Sequence, residues 1–351
     1  MGQLNNYAIM FKFKIVLLLG ILYGTIGCSK PNSSNNVTTG DTTKFYKGAD
    51  VSWVTEMEAA GWYYYDSLGI KTDLFTLLKQ KGINAIRLRI WVNPSNGWCN
   101  LNDVIAKATR AKQAGMDILL DFHYSDTWAD PGKQTKPAAW LNLAFPALVN
   151  TLSTYTTQVL QALQQKNIVP KWVQIGNEVD NGMLWEDGRA SSNMNQFATL
   201  IEAGYKAVKN FNQNIQVIVH VSNGYNNNLF RWLFDGLKNN GAQWDIIGMS
   251  LYPDSTNWNS YNTQCLANMN DMINRYNCSV MICEAGMPVN QPAICKQFLT
   301  DLIQKVRGIP NHNGIGVFYW EPECYNNWQG YGLGAFDVTG KPTDAMNAFL
   351  Q

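Results

Sequence analysis

The chain has 351 residues, 46% of them hydrophobic and only 15% charged, with a formal net charge of +1. An average globular protein carries roughly 25% charged residues, so this charge-poor, near-neutral chain lacks the basic footprint that nucleic acid binding requires. Its excess is aromatic, with 13 Trp, 16 Tyr and 14 Phe, enough both to fill a core and to line a groove for sugars, whose apolar faces stack on rings.

At the N-terminal end, Lys12 and Lys14 precede the apolar run from Ile15 to Gly27, which stops at Cys28. A basic segment followed by so short an apolar stretch is the pattern of a signal peptide, not of a spanning helix. Thr25-Ile26-Gly27-Cys28 resembles a bacterial lipoprotein box. That implies a leader over residues 1–28, lipidation of Cys28, and export to the outer membrane, on its periplasmic face or the cell surface. The anchor would be the only membrane contact. Residues 29–43, rich in Ser, Asn and Thr, read as a flexible linker. Six cysteines follow, Cys99, Cys265, Cys278, Cys283, Cys295 and Cys324. An exported chain with an even number permits up to three disulfides, and buried free thiols fit as well. Their spacings match no zinc site.

From 44 to 351 the chain reads as one catalytic domain. Short, nearly continuous apolar runs predict strands at Tyr46–Trp53, Ala85–Trp91, Asp117–His123, Trp172–Asn177, Gln216–Val221, Ile246–Leu251, Ser279–Glu284 and Gly316–Trp320, as parallel strands buried on both faces would require. Helical spacing lies between them, as in Asp73–Lys81, Asn102–Ala114, Pro146–Lys166, Met194–Asn210 and Ile294–Val306. Eight such alternations predict an α/β fold, a single (β/α)8 TIM barrel. A doubly wound sheet is disfavoured because no Gly-rich phosphate turn follows the first strand.

In such a barrel the C-terminal strand ends converge on the active site. Polar and aromatic residues gather there: Trp91-Val92-Asn93, His123-Tyr124-Ser125-Asp126, Asn177-Glu178, Leu251-Tyr252, Glu284 and Trp320-Glu321. Glycoside hydrolysis needs one carboxyl to protonate the leaving oxygen and a second to attack or to activate water. Glu178 closing the fourth strand and Glu284 closing the seventh supply that pair, and an apolar strand seldom ends on a carboxylate without a partner or a task. Arg87 and Arg89 alternate with Ile86, Leu88 and Ile90, which sends both arginines inward, where a cation would keep Glu284 ionised.

Several segments are similar to glycoside hydrolase family 53, the endo-β-1,4-galactanases. They are Lys47-Gly48-Ala49-Asp50-Val51-Ser52, the run Ile86 to Pro94, the run Asp121 to Pro131, Gly176-Asn177-Glu178 with Asn181 to Trp185, and Tyr319-Trp320-Glu321-Pro322. The resemblance covers about Lys47 to Leu350. It implies a retaining endo-hydrolase of β-1,4-galactan, acting as a monomer, with Glu178 as acid/base and Glu284 as nucleophile. It further implies that Asn177 binds the 2-hydroxyl of the reacting sugar, that Tyr252 orients the nucleophile and that Trp320 is the platform under that sugar. His123, Tyr124, Asp126, Trp128 and Asp130 would line subsites, and Trp91 and Trp185 would extend the groove. His123 is read as a site residue, since no second His suits it for a metal. No cofactor is required. Some bacterial members bind calcium after the eighth strand, but the run Glu323 to Trp328 offers few of the six to eight oxygens calcium takes. The alternatives are a sister barrel enzyme cutting mannan or xylan, and an inert surface glycan-binding lipoprotein.

Overall fold

All eight predicted strands form. They are β1 (Tyr46–Asp50), β2 (Ala85–Ile90), β3 (Asp117–Phe122), β4 (Trp172–Ile175), β5 (Gln216–Val221), β6 (Ile246–Leu251), β7 (Ser279–Ala285) and β8 (Gly314–Trp320). Neighbours in sequence pair in parallel, and β8 closes on β1 to complete the barrel. The helices that return the chain are α1 (Val54–Ala59), α2 (Leu74–Gln80), α3 (Leu101–Gln113), α4 (Phe145–Gln165), α5 (Ala190–Phe211), α6 (Asn227–Asn239), α7 (Trp258–Tyr276) and α8 (Pro292–Arg307). This computed structural model describes residues 44–351, so the expected leader, the expected lipidation of Cys28 and the expected linker lie outside the described residues. Among the described residues no helix is long and apolar enough to cross a membrane.

Strand alternation sorts the side chains into two cores. Outward residues such as Ile86, Leu88 and Ile90 join the helices in the larger one. Inward residues Tyr46, Ala85, Leu119, Trp172, Ile218, Ile246, Met281, Cys283 and Phe318 form an apolar plug inside the barrel. Burying a ring of that kind stabilises by roughly 1.5–3 kcal/mol. The plug fits because β1 carries Gly48: a Cβ there would stand 2.1 Å from the Phe318 ring. Toward the C-terminal ends of the strands the inward positions turn polar, with Asp50, Arg87, Arg89, Asp121, Gln174, His220 and Ser250 all buried. Register sets Asp50 opposite Arg87, Arg89 opposite Asp121, and Asp121 opposite Gln174.

β1, β2, β3 and β4 stop one to three residues short of the expected ends and β7 runs one residue past it; the ends of β4 and β7 position the site. β4 stops at Ile175, and Gly176, at φ 81°, turns the chain so that Asn177 and Glu178 stand on the rim and not in the strand. In β7 the pairing with β6 shifts after Met249, so that Ser250 faces Glu284. Met281 and Cys283 point into the barrel while Ile282 and Ala285 pack against the helices. Strict alternation would send Glu284 outward with Ile282. The extra residue of the bulge re-aims it, a recognised use of bulges beside active sites. All six cysteines of the described residues are free, and all but Cys278 are buried.

Candidate active site

Arg87 is the hub of the polar layer. Its guanidinium meets Asp50 at 2.8 Å, Asp121 at 2.9 Å and Glu284 at 2.8 Å, and it donates to Asn177 Oδ1 at 2.8 Å. Glu284 receives a second donor, the Tyr252 hydroxyl, at 2.7 Å on its other oxygen. Burial raises the Glu284 carboxyl, and Arg87 and then Tyr252 oppose that rise. Glu178 is the more open of the two glutamates. It accepts from the Ser250 hydroxyl at 2.7 Å. Burial first and the Glu284 charge second push its carboxyl well above the usual range. One guanidinium faces several carboxylates in this layer, and the Glu178 carboxyl, beside the Glu284 charge, is pushed up the more strongly of the two glutamates. A pair of carboxyl groups whose surroundings differ in this way is the arrangement from which one can serve as acid and the other as base or nucleophile.

Arg89 does something other than expected. It does not reach Glu284. Its guanidinium ion-pairs with Glu321 and lies against three indoles, 4.2 Å from the centre of Trp128, 5.0 Å from Trp53 and 5.3 Å from Trp91. The arginine therefore seats an aromatic wall by cation–π contact. In that wall Trp128 and Trp320 are part-exposed and set 64° apart. Trp53 is buried and touches both. Trp91 is buried behind Trp128, so it backs the wall and does not extend the groove. Trp185 stands on the loop after β4, part-exposed, with Arg189 stacked 3.7 Å over its ring.

The loop after β3 divides into cleft and scaffold. His123 Nδ1 accepts from Trp91 Nε1 and from the backbone of Ala129, which leaves Nε2 to face Asp121 at 3.0 Å. Tyr124 is corrected outright: its ring stacks on Phe122 and its hydroxyl pairs with Thr156 of α4, inside the barrel–helix core. Strand parity carries it outward with Phe122, away from the sugar. Asp126 spends both oxygens on backbone N–H groups, those of Asn93 and Ala138, and Asp130 caps its own turn at Gly132. Asp126 thus braces the loop with both oxygens, whereas Asp130 commits Oδ1 to its turn.

Sequence reasoning missed Gln174, His220 and Ser250. The available signal was a polar residue at an inward position of a buried strand, in Trp172-Val173-Gln174-Ile175, in Val219-His220-Val221 and in Met249-Ser250-Leu251. It also gave no role to Glu321 and Glu323, both fully buried. Glu321 accepts from the Trp53 backbone at 3.1 Å and pairs with Arg89. Burial and the adjacent Glu321 charge push the Glu323 carboxyl well above the carboxylate range. These two carboxyls and Cys324 offer ligand atoms within 4.8 Å of one another. That donor set does not suit calcium, which wants six to eight oxygens, whereas here Arg89 already occupies Glu321 and the third group is a thiol.

A closed (β/α)8 barrel with this carboxyl pair at its strand ends defines a barrel glycoside hydrolase. The comparisons carry the assignment to the family. Residues 46–349 match the model of glycosyl hydrolase family 53, to which the chain belongs. It is 34% identical to an arabinogalactan endo-β-1,4-galactanase of Cellvibrio japonicus, over 97% of this chain and 96% of the relative. It is 33% identical to an endo-β-1,4-galactanase of Bacillus subtilis, over 79% and 70% respectively. A solved fungal β-1,4-galactanase superposes with a TM-score of 0.81 at 30% identity, covering 87% of this chain and 99% of that one.

Proposed function

We propose that this protein is a retaining endo-β-1,4-galactanase held at the outer membrane by lipid on Cys28. The observation that carries the mechanism is the unequal treatment of the two glutamates. Glu284 sits between Arg87 and the Tyr252 hydroxyl, which favour its charge, while Glu178 has only a hydroxyl donor and is pushed further up by the Glu284 charge. Glu178 then protonates the glycosidic oxygen as Glu284 attacks the anomeric carbon. Water, deprotonated by Glu178, releases the sugar from Glu284 in the second step. Asn177, held by Arg87 and by its own Nδ2 donation to Ala129 O at 2.8 Å, is in place to meet the 2-hydroxyl. The galactan specificity rests on the family and on the named relatives. The angled rings of Trp128 and Trp320 support it, since the axial 4-hydroxyl of galactose makes a 1,4-linked chain curve.

The test compares release of reducing ends from pectic galactan, mannan and xylan at equal mass, with products separated by size. Internal cleavage of galactan with little action on the other two is expected, and equal activity on mannan overturns the substrate reading. Glu284→Ala should abolish hydrolysis. Glu178→Ala should spare substrates with good leaving groups and yield a β-galactosyl azide when azide is added. Exchanged behaviour of the two variants would reverse the roles.

A further inference from the structure

His220 of β5 and Ser250 of β6 have no part in the double displacement just described, yet both are buried directly beneath Glu178. Ser250 Oγ lies 2.7 Å from Glu178 Oε1 and 2.8 Å from His220 Nε2. The other ring nitrogen, Nδ1, meets two donors, Gln174 Nε2 at 3.1 Å and the Glu178 backbone N–H at 3.4 Å. It also lies 3.0 Å from Asn177 Oδ1, an acceptor whose orientation is fixed by its amide nitrogen donating to Ala129. The Ser250 hydroxyl spends its one hydrogen on Glu178, so it accepts from His220; that calls for the hydrogen on Nε2 and leaves the lone pair on Nδ1 for the two donors. Burial, reinforced by Arg87 and His123, holds the imidazole well below its usual range, so it is neutral and carries that hydrogen alone.

The direction of the whole chain follows. Arg87 donates to Gln174 Oε1 from Nε and Nη2, each at 3.2 Å. Gln174 donates one hydrogen to Asp121 at 2.6 Å and turns the other toward His220 Nδ1 at 3.1 Å, with Gly176 O at 3.1 Å and Asn177 Oδ1 at 3.2 Å also within its reach. His220 donates to Ser250, and Ser250 donates to Glu178. Every donor from Arg87 to Glu178 points the same way, and hydrogen bonds in such a series polarise one another.

We propose that Ser250 and His220 are positioning residues for the acid/base: together they hold a fixed donor on Glu178 Oε1, so that the catalytic proton is carried on Oε2 and offered to the glycosidic oxygen. This rests on Glu178 being the acid/base. As the glycosidic bond breaks, the Oε2 proton goes to the leaving oxygen. Ser250 and His220 keep their hydrogens, and the Ser250 bond now meets a full carboxylate, which strengthens it. Water returns a proton to Oε2 in the second step. Arg87 thus serves both carboxyls, Glu284 by contact and Glu178 through four bonds. The charged and titratable groups facing Glu178 are Arg87 from β2, Asp180 beyond β4 and Glu284 from β7; those facing His220 are Arg87 and His123.

The test is Ser250→Ala, assayed as kcat/KM against pH on galactan and on an aryl galactobioside with a good leaving group. Loss of a donor to the ionised form raises the Glu178 carboxyl further. The alkaline limb should therefore move up by about one pH unit or more. Activity on galactan should fall roughly tenfold or more, as loss of one charge-assisted hydrogen bond implies. The aryl substrate, which needs little protonation, should change by less than about twofold in kcat/KM. Equal losses on both substrates with an unmoved limb would mean a structural role only and overturn the proposal. A second measurement does not depend on folding of a variant: nitrogen NMR of histidine-labelled protein should find His220 protonated on Nε2, and protonation on Nδ1 would also overturn it. Glu178→Ala assayed beside these separates the two failures. If that variant loses both substrates equally, the acid/base reading itself is wrong; if it spares the aryl substrate while Ser250→Ala leaves the limb in place, only the positioning role fails.

Discussion

Replacing Tyr252 by Phe removes one atom from the nucleophile's surroundings and leaves the rest in place. The ring follows β6 and packs so closely on Gly286 that a Cβ there would stand 3.0 Å from it, and Phe preserves that contact. What is lost is the hydroxyl donating to Glu284 at 2.7 Å. A hydrogen bond to a charged group contributes about 1.5–3 kcal/mol, which corresponds to roughly one to two pH units. The sign is upward: the bond favours the ionised carboxyl, so without it Glu284 takes up a proton at higher pH. The acid limb of kcat/KM should move up by that amount, and below it activity should fall about 10- to 100-fold. On the plateau the change should be small, because Arg87 still holds the carboxylate at 2.8 Å. Galactan and an activated aryl galactobioside should suffer alike, since the nucleophile acts on both. A stationary acid limb, or a loss confined to galactan, would show that Glu284 is not the group Tyr252 serves.

Three further outcomes follow from the same structure. Glu323 is raised above its unfolded value, so its contribution to stability is complete below the unfolded carboxylate range and fades as pH rises through the folded value. Glu323→Gln keeps a neutral donor beside Glu321, and its melting temperature relative to the parent should therefore improve as pH rises above the unfolded carboxylate range; a difference independent of pH would refute the raised Glu323 carboxyl. Gly48→Ala forces a Cβ to 2.1 Å from the Phe318 ring and should destabilise by about 1–3 kcal/mol or more. Adding Phe318→Leu should recover part of that in chemical denaturation, whereas strictly additive losses would dismiss the clash. Cys28→Ala should release the protein from the membrane fraction with unchanged specific activity, and a variant that stays bound would end the anchor assignment.

Much of the barrel was legible because a strand buried on both faces has to be apolar almost throughout, and eight such runs with helical spacing between them leave few other ways to close a sheet. The inward aim of Arg87 and Arg89 was legible for the same reason, from period-2 alternation along β2. The sequence by itself also brought Glu178 and Glu284 together, as carboxylates ending apolar runs that the barrel rule directs to one mouth. What it could not decide was anything set by contact between strands distant in the chain. Glu284 faces the cleft only because a bulge at Met249/Ser250 breaks the alternation, and an extra residue in the ladder leaves no mark on one strand's own pattern. Arg89 meets Glu321, 232 residues away, and not Glu284. Asp126 looks like a sugar acceptor until the folded loop brings two backbone N–H groups onto it. The chain of donors proposed through Gln174, His220 and Ser250 draws on β4, β5 and β6, which only the closed barrel brings within hydrogen-bond reach of one another. Composition and period record what each segment buries; only closure of the barrel determines which buried polar groups face each other and which way their hydrogens point.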